Sequence, residues 1–231
     1  PYYGHFVTNG IDGKRCIRIT DKSLRQHYAV AKLFTEFEPL ASRWKNRDIN
    51  AYLTSDTKVN VKELFENLLK FERKYFEYRY DSDYHYQVCW IIHTYFYPLF
   101  DYTPYNDLVG SKGTGKSKAI RFLETLCYNG FISGNASAST IFRTVQGTGA
   151  TLLLDEAEDL KGGKDDQLDK ENMLRNGNYK HGIVTRAGNK NVNFLPESFS
   201  VYSPKALGHI NSVDEVLADR CLPTETTPST N

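Results

Sequence analysis

Two kinds of hydrophobic spacing divide the amino-terminal half of the chain. Residues 5–20 alternate apolar and polar side chains around two Asx-Gly turns, which predicts a small β-hairpin. Residues 21–59 are polar and mixed, with weak periodicity. Apolar side chains then recur at helical spacing over residues 61–80, and a second helix is expected over about residues 83–97 before Pro98 ends it.

From residue 105 the pattern changes to short apolar runs that alternate with amphipathic segments. The run Leu152-Leu153-Leu154 is apolar throughout, as expected for a parallel strand covered on both faces. Alternating strands and helices predict an α/β fold with a parallel sheet flanked by helices, beside a smaller α+β amino-terminal region. Strands are expected at residues 106–109, 130–133, 151–154, 182–186 and 199–202, with helices at 116–128, 137–145, 170–176 and 213–219.

This organisation predicts three regions. Residues 1–59 would form the small region with the hairpin, residues 60–104 a helical region packing on the core, and residues 105–231 the core itself. Because the chain starts at Pro1 and ends on a polar tail, we expect it to be a fragment of a longer protein.

Composition narrows the functional classes without choosing among them. Of the 231 residues, 40% are hydrophobic and 25% charged, which suits a globular protein, and the net charge of +1 means that any nucleic-acid surface must be local. The four cysteines are scattered without a CxxC pair, which argues against a zinc site or a disulfide framework and for a reducing compartment. Since no run approaches eighteen apolar residues, no membrane span is expected.

One octet carries specific chemistry, because it matches the phosphate-loop pattern G-x-x-x-x-G-K-[ST] between an expected strand and an expected helix. Its glycines allow backbone N–H groups to surround phosphate oxygens, and the following helix directs its positive end at them. Lys116 would reach the β- and γ-phosphates, and the Ser117 hydroxyl would bind Mg²⁺. The alternative is a chance glycine-rich turn. The octet is Gly110-Ser111-Lys112-Gly113-Thr114-Gly115-Lys116-Ser117.

A second acidic motif follows the most apolar strand. Asp155, at the carboxyl end of this strand, would hold Mg²⁺ through water, and Glu156 would polarise the attacking water. Read alone, the pair could be a strand that ends in solvated acids. Together with the octet, it predicts hydrolysis of ATP rather than binding alone.

With these motifs, the chain resembles the AAA+ ATPases, more narrowly the superfamily 3 and minichromosome-maintenance-like helicases and the primase-associated ATPases of phages, plasmids and mobile elements. A DEAD-box helicase is disfavoured because too little chain follows residue 160 for a second motor domain, and a GTPase because no Asn-Lys-x-Asp element occurs. The resemblance covers about residues 83–225. Besides the two motifs, it is carried by Trp90-Ile91-Ile92-His93-Thr94, Phe100-Asp101-Tyr102-Thr103-Pro104, Asn135-Ala136-Ser137, Phe142-Arg143 and Leu217-Ala218-Asp219-Arg220.

The resemblance implies a ring, hexameric in this family, with ATP bound between subunits. Arg220 lies where these ATPases place the arginine that completes the neighbour's site; the alternative is an arginine that ends a helix and faces water. Residues 182–202 would form a hairpin in the ring channel, where Arg186 and Lys190 would contact DNA phosphates, although this segment could equally be a solvated turn. Ser203 would occupy the sensor position, with Lys205 as the alternative.

The expected function is therefore that of an ATP- and Mg²⁺-dependent replicative DNA helicase of a virus, plasmid or mobile element. Its partners would be single-stranded DNA, further copies of the chain and a primase domain or protein, in the cytoplasm of a prokaryotic host. Two alternatives remain. One is a regulatory or loader ATPase that remodels a partner without unwinding, and the other is a nucleotide-binding assembly module with negligible turnover.

Overall fold

The computed structural model divides the chain into two compact units, Pro1–Lys58 and Val59–Asn231. In the first unit, β1 (Gly4–Thr8) and β2 (Arg15–Ile19) form an antiparallel pair in which Gly4 lies opposite Ile19. This is the hairpin that the alternation of residues 5–20 predicts. The structure describes residues 4–8, 15–19, 47, 51, 59–155, 165–186, 195–210 and 215–228.

The second unit contains a five-stranded parallel sheet and a separate two-stranded antiparallel hairpin. In chain order, the strands are β3 (Tyr105–Val109), β4 (Phe131–Ile132), β5 (Leu152–Asp155), β6 (Ile183–Arg186), β7 (Glu197–Ser200), β8 (Lys205–His209) and β9 (Cys221–Glu225). The parallel sheet has the order β4-β5-β8-β3-β9, and β6 pairs with β7. The predicted α/β class with a parallel sheet is confirmed.

Six helices are described in this unit, and local sequence explains several of their ends. Asn60 and Ser137 accept hydrogen bonds at the starts of the first and fourth helices, and Gly149 ends the fourth in a left-handed conformation. A 3₁₀ turn, Tyr97–Leu99, follows the second helix. The helices are α1 (Val61–Tyr75), α2 (Asp81–His93), α3 (Lys116–Leu126), α4 (Ala138–Thr148), α5 (Asp165–Asn176) and α6 (Glu215–Ala218).

Helices cover both faces of the parallel sheet, so that successive residues of a strand enter different cores. Leu152 and Leu154 of β5 pack in a cluster with side chains of α4 and α5. Leu153, between them, packs in a second cluster with side chains of α2 and α3. This alternation on a strand that is apolar throughout is the expected consequence of burial on both faces.

The sequence pattern misplaced the central strand β8. It predicted a strand at residues 199–202, whereas β7 ends at Ser200 and β8 begins at Lys205. Lys205 is fully buried, and its ammonium donates to the carbonyl oxygens of Val201 and Ser203 at 2.9 Å and of Gly177 at 3.0 Å. Because a lysine normally marks an exposed position, the sequence pattern around Lys205 does not indicate a buried strand.

Helix α1 also differs from its hydrophobic pattern. Leu64, Phe71 and Tyr75 are exposed by 42%, 52% and 41%, while Glu72 is 1% exposed. The hydroxyl of Tyr78 donates to the Glu72 carboxylate at 3.0 Å. Burial raises the pKa of Glu72 to about 7, and the hydrogen bond from Tyr78 opposes this shift. The most deeply buried residue of this helix is therefore Glu72, whose side chain ends in a carboxyl group.

Buried amides fix α2 against the sheet. The side chains of Gln87 in α2 and Asn106 in β3 exchange hydrogen bonds of 2.9 and 2.6 Å, and Gln87 also donates to the Thr224 hydroxyl in β9 at 2.8 Å. All three residues are buried. Because buried polar groups that are left unpaired are costly, these bonds specify how α2 sits on β3 and β9.

Neither a membrane span nor a disulfide appears in the parts of the chain that the structure describes. No helix there is long and apolar enough to cross a bilayer. The cysteines that the structure describes in the second unit, Cys89, Cys127 and Cys221, form no disulfide bond.

We expect Glu72 to make stability fall with rising pH. Between pH 4.5 and about 7 the folded protein keeps a proton on Glu72 that the unfolded chain releases, so the free energy of unfolding decreases through this window. Glu72→Gln, which keeps an acceptor for Tyr78, should remove this dependence and be more stable than wild type at pH 8 by ~3 kcal/mol. Urea unfolding from pH 4.5 to 8 measures both effects.

Glu66→Gln is the matched control, since Glu66 lies on the same helix with 53% of its side chain exposed. Its unfolding profile against pH should parallel that of wild type. Parallel profiles for Glu72→Gln and wild type would contradict a proton on buried Glu72.

Candidate functional site

The candidate site lies at the edge of the parallel sheet where the strands end, which we call the carboxyl edge. Val109, the last residue of β3, lies opposite His209 of β8, and Asp155 of β5 lies opposite Gly208. Residues 110–115, which we call the glycine loop, connect β3 to α3. Because all five strands are parallel, the glycine loop and Asp155 share this edge, separated by one strand.

Two glycines of the loop have backbones that other residues rarely adopt. Gly113 has φ of +86° and Gly115 has φ of +91°, both in the left-handed region. Gly115 is also the N-cap of α3, and neither glycine would bring a Cβ within 4 Å of another atom. Glycine is therefore required at both positions by the backbone conformation and not by a lack of space for a side chain. Such a conformation is expected in a loop whose N–H groups point inward.

Positive charge is concentrated where α3 begins. The ammonium of Lys116 donates to the carbonyl oxygens of Gly110 at 2.6 Å and Ser111 at 2.8 Å. Lys112 and Lys118 stand nearby in sequence, and the first turn of α3 contains no acidic residue. Lysines at a helix amino terminus oppose the helix dipole, so this arrangement is electrostatically unfavourable by itself and favours an anion.

Two oxygen-bearing side chains from distant parts of the sequence meet beside the loop. The Ser117 hydroxyl in the first turn of α3 donates to the Asp155 carboxylate at 3.1 Å. Both side chains are exposed at the carboxyl edge. A hydroxyl and a carboxylate are hard oxygen donors of the kind that Mg²⁺ binds while it keeps waters and phosphate oxygens. Within the described ranges no group of three or more His, Cys, Asp or Glu side chains could form an all-protein metal cage.

Thr226 supports the glycine loop and was not identified from the sequence, where residues 226–231 had the composition of a polar tail. It directly follows β9, is 7% exposed, and its hydroxyl lies 2.8 Å from the Thr114 hydroxyl. Its backbone N–H donates to the Val109 carbonyl at 2.8 Å. A Cβ on Gly110 would approach the Thr226 hydroxyl oxygen to 2.4 Å. Only the folded chain brings these groups together, so no sequence pattern could have revealed them.

A buried polar pair lies at the same end of the sheet. His209, the last residue of β8, is hydrogen bonded through Nε2 to the Asp107 carboxylate, and both side chains are less than 10% exposed. Neither was a candidate in the sequence, because a lone histidine and a strand-interior aspartate match no catalytic spacing.

The predicted sensor assignment was wrong about position. Ser203 lies before β8 begins at Lys205, at the amino edge of the sheet and not at the carboxyl edge where the glycine loop lies. Its side chain is fully buried and lies 3.3 Å from the Lys205 ammonium. Lys205, the alternative, is at the same edge. The carboxyl end of β8 is His209, followed by Ile210 and, outside the described residues, Asn211.

Two other candidates, Glu156 and Lys190, lie outside the described residues. Arg186 is the last residue of β6, where it lies opposite Glu197 in the predicted hairpin. Its guanidinium forms an ion pair of 2.5 Å with Asp169 of α5 and lies 5.1 Å from the centre of the Phe142 ring. The charge of Arg186 is therefore already partnered within the chain.

Arg220 occupies the turn between α6 and β9, as the sequence predicts, at the amino edge of the sheet. Its Nε donates to the carbonyl oxygen of Arg175 at 2.9 Å, and its Nη1 donates to that of Val216. The guanidinium thus binds the ends of α5 and α6. A strand of five residues, about 16 Å long, separates Arg220 from the carboxyl edge of its own sheet.

Comparison with known proteins adds no family to this description. A scan against protein-family models finds no match, and a search of curated proteins finds no relative.

We expect the same substitution to have opposite effects at two exposed or half-exposed glycines. Gly115→Ala forces a side chain into the left-handed region and should destabilise the fold by ~1–2 kcal/mol. Gly147→Ala, inside α4 where a Cβ meets nothing within 4 Å, should stabilise by up to ~1 kcal/mol. Urea unfolding midpoints at equal m-values compare the two variants. Shifts of the same sign would contradict a backbone requirement at Gly115.

Proposed function

We propose that this chain is an AAA+-like P-loop ATPase that hydrolyses ATP at the glycine loop. One observation carries the proposal: Lys116, Ser117 and Asp155 converge at the mouth of a glycine loop, although 38 residues separate the serine from the aspartate. Solvated acids at the end of a strand would not explain why the Asp155 carboxylate accepts a hydrogen bond from Ser117, a residue of the octet.

The loop would bind the phosphates of the nucleotide. Backbone N–H groups around Gly113 and Gly115 would surround the phosphate oxygens, and the amino terminus of α3 would add its partial positive charge. Lys116 would exchange its two carbonyl partners for the β- and γ-phosphates. Phosphate binding would also remove the mutual repulsion of the lysines and the helix dipole.

Ser117 and Asp155 would hold Mg²⁺, and the chemistry of this donor pair fits the ion. When bound, Mg²⁺ neutralises charge that develops on the β- and γ-phosphate oxygens. Glu156, the next residue in the sequence, would accept a proton from water as the water oxygen bonds to the γ-phosphorus and the bond to the β-phosphate oxygen breaks.

Arg220 would complete the site of a neighbouring subunit. Because it lies at the amino edge, opposite its own glycine loop, it cannot reach the phosphates that this loop would hold. A head-to-tail ring would satisfy this geometry, because its interface joins two different surfaces of the chain, here the amino edge of one copy and the carboxyl edge of the next. The guanidinium would then stabilise charge on the γ-phosphate in trans.

A DNA helicase motor is the activity that we favour for such a ring. The β6–β7 hairpin is the observation that favours it over a loader ATPase, because a hairpin of this kind can project into a ring channel and contact phosphates without reading sequence. Since Arg186 is held by Asp169, Lys190 is the better candidate for that contact. A regulatory or loader ATPase remains the second candidate.

We expect the purified protein to hydrolyse ATP only with Mg²⁺, to be stimulated by single-stranded DNA, and to displace a DNA strand. Lys116→Ala should lower the hydrolysis rate on the order of 100-fold or more, because a preorganised charge on the phosphates is lost. Lys62→Ala removes the same charge from an exposed site on α1 and should hydrolyse ATP like wild type. Steady-state hydrolysis and strand-displacement assays measure these effects.

The possible outcomes separate the candidate functions. Hydrolysis that a protein partner stimulates, without strand displacement, would favour the loader ATPase. Equal hydrolysis by Lys116→Ala and wild type would refute the assignment of the glycine loop.

For Arg220 we expect complementation between two inactive variants. Arg220→Ala subunits carry an intact loop, and Lys116→Ala subunits carry an intact Arg220. In a ring assembled from equal amounts of both, about a quarter of the interfaces would combine an intact loop with an intact Arg220. Hydrolysis should recover to about that fraction while each variant alone is inactive. Titrating one variant into the other at constant total protein measures the recovery, and its absence would count against action in trans.

A further inference from the structure

Thr226 makes contacts that no part of the proposed chemistry requires. Its hydroxyl lies 2.8 Å from the Thr114 hydroxyl and 3.2 Å from the Val109 carbonyl oxygen, which it can donate to. Because Thr114 donates its single hydroxyl proton to the Ser111 carbonyl at 2.9 Å, Thr226 is the donor in the bond between the two hydroxyls, and the Val109 carbonyl is its alternative acceptor. These contacts link the residue after β9 to Thr114 in the glycine loop and to Val109, the residue just before the loop. We call the pair Thr114 and Thr226 the threonine clasp.

The clasp is buried and tightly fitted. Thr114 and Thr226 are 8% and 7% exposed. A Cβ on Gly110 would lie 2.4 Å from the Thr226 hydroxyl oxygen and 2.6 Å from that of Thr114, so the glycine at this position leaves the room that both hydroxyls occupy. Gly110 is thus needed for a reason different from the left-handed glycines later in the loop.

The segment that carries Thr226 is itself anchored on its other side. Thr226 forms an antiparallel bridge with Tyr78, and the hydroxyl of Thr227 donates to the Glu77 carbonyl at 3.2 Å. Arg79 forms an ion pair of 2.5 Å with Glu225. The clasp therefore holds the glycine loop against a segment fixed between β9 and the connection from α1 to α2.

We propose that Thr226 is a positioning residue for nucleotide binding, which acts through Thr114 to hold the glycine loop in its phosphate-binding shape. This inference rests on the proposed ATPase function. Thr226 touches no phosphate; it sets the geometry of the N–H groups that do. Loss of its hydroxyl should weaken binding of the substrate and of the transition state alike, which raises KM and leaves kcat nearly unchanged.

The test compares Thr226→Val, which keeps the shape but loses the hydroxyl, with Thr226→Ser, which keeps the hydroxyl. We expect Thr226→Val to raise the KM for ATP about five- to tenfold, the effect of one neutral hydrogen bond, and Thr226→Ser to restore the wild-type value. Direct titration with a fluorescent ATP analogue should give the same ratio in Kd. Thermal unfolding of each variant verifies folding.

Thr227→Val is the matched control, because the hydroxyl of Thr227, the next residue along the chain, donates to the Glu77 carbonyl and not to the glycine loop. It should leave KM unchanged. An unchanged KM in Thr226→Val, or equal increases in Thr226→Val and Thr227→Val, would overturn the inference. If Thr226→Val does not fold, Thr226→Ala and Thr114→Val take its place with the same expected KM increase.

A double-variant cycle separates the clasp from general damage. Thr114→Val removes the same bond from the loop side and also the bond from Thr114 to Ser111, so Thr114→Val combined with Thr226→Val should raise KM no more than Thr114→Val alone. Multiplied effects would overturn the inference. Failure of the ATPase proposal looks different, since wild type and Lys116→Ala would then bind the ATP analogue equally.

Discussion

The insertion of β8 between β3 and β5 is the constraint on which the geometry of the site depends. A parallel sheet directs the ends of all its strands to one edge, and β8 sets the distance across that edge between the glycine loop and Asp155. The strand can occupy the centre only because the ammonium of Lys205 finds three carbonyl oxygens within 3.0 Å. Burial lowers the pKa of this lysine well below its usual value.

The two edges of the sheet divide the chemistry that we propose. The carboxyl edge carries Lys116, Ser117 and Asp155, and the amino edge carries Arg220. Each chain would then contain two halves of different sites, and a head-to-tail arrangement of copies would join them. Thr226, which follows β9, would hold the glycine loop of the carboxyl edge in its phosphate-binding conformation.

Helices α1 and α2 belong to the same compact unit as the sheet, and polar contacts make them part of it. Gln87 bonds to both β3 and β9, and Tyr78 bridges to Thr226. Hydrogen-bonded amides in a buried interface specify orientation more sharply than apolar contacts do. The connection between α1 and α2 is therefore held close to the glycine loop through its contacts with Thr226 and Thr227.

The sequence by itself determined the α/β class, the glycine loop and the acidic strand end, because each depends on short spacing: apolar runs, left-handed glycines and a lysine at a fixed offset. It also placed Arg220 between a helix and the last strand. It could not determine β8, since a lysine, a glycine and a histidine in a short segment hide a strand whose polar groups are satisfied only by remote partners. The position of Ser203, the burial of Glu72 and the contact of Thr226 with Thr114 were likewise decided by the tertiary structure. Each depends on atoms far apart in the chain, which only the packed fold brings within a hydrogen-bond length.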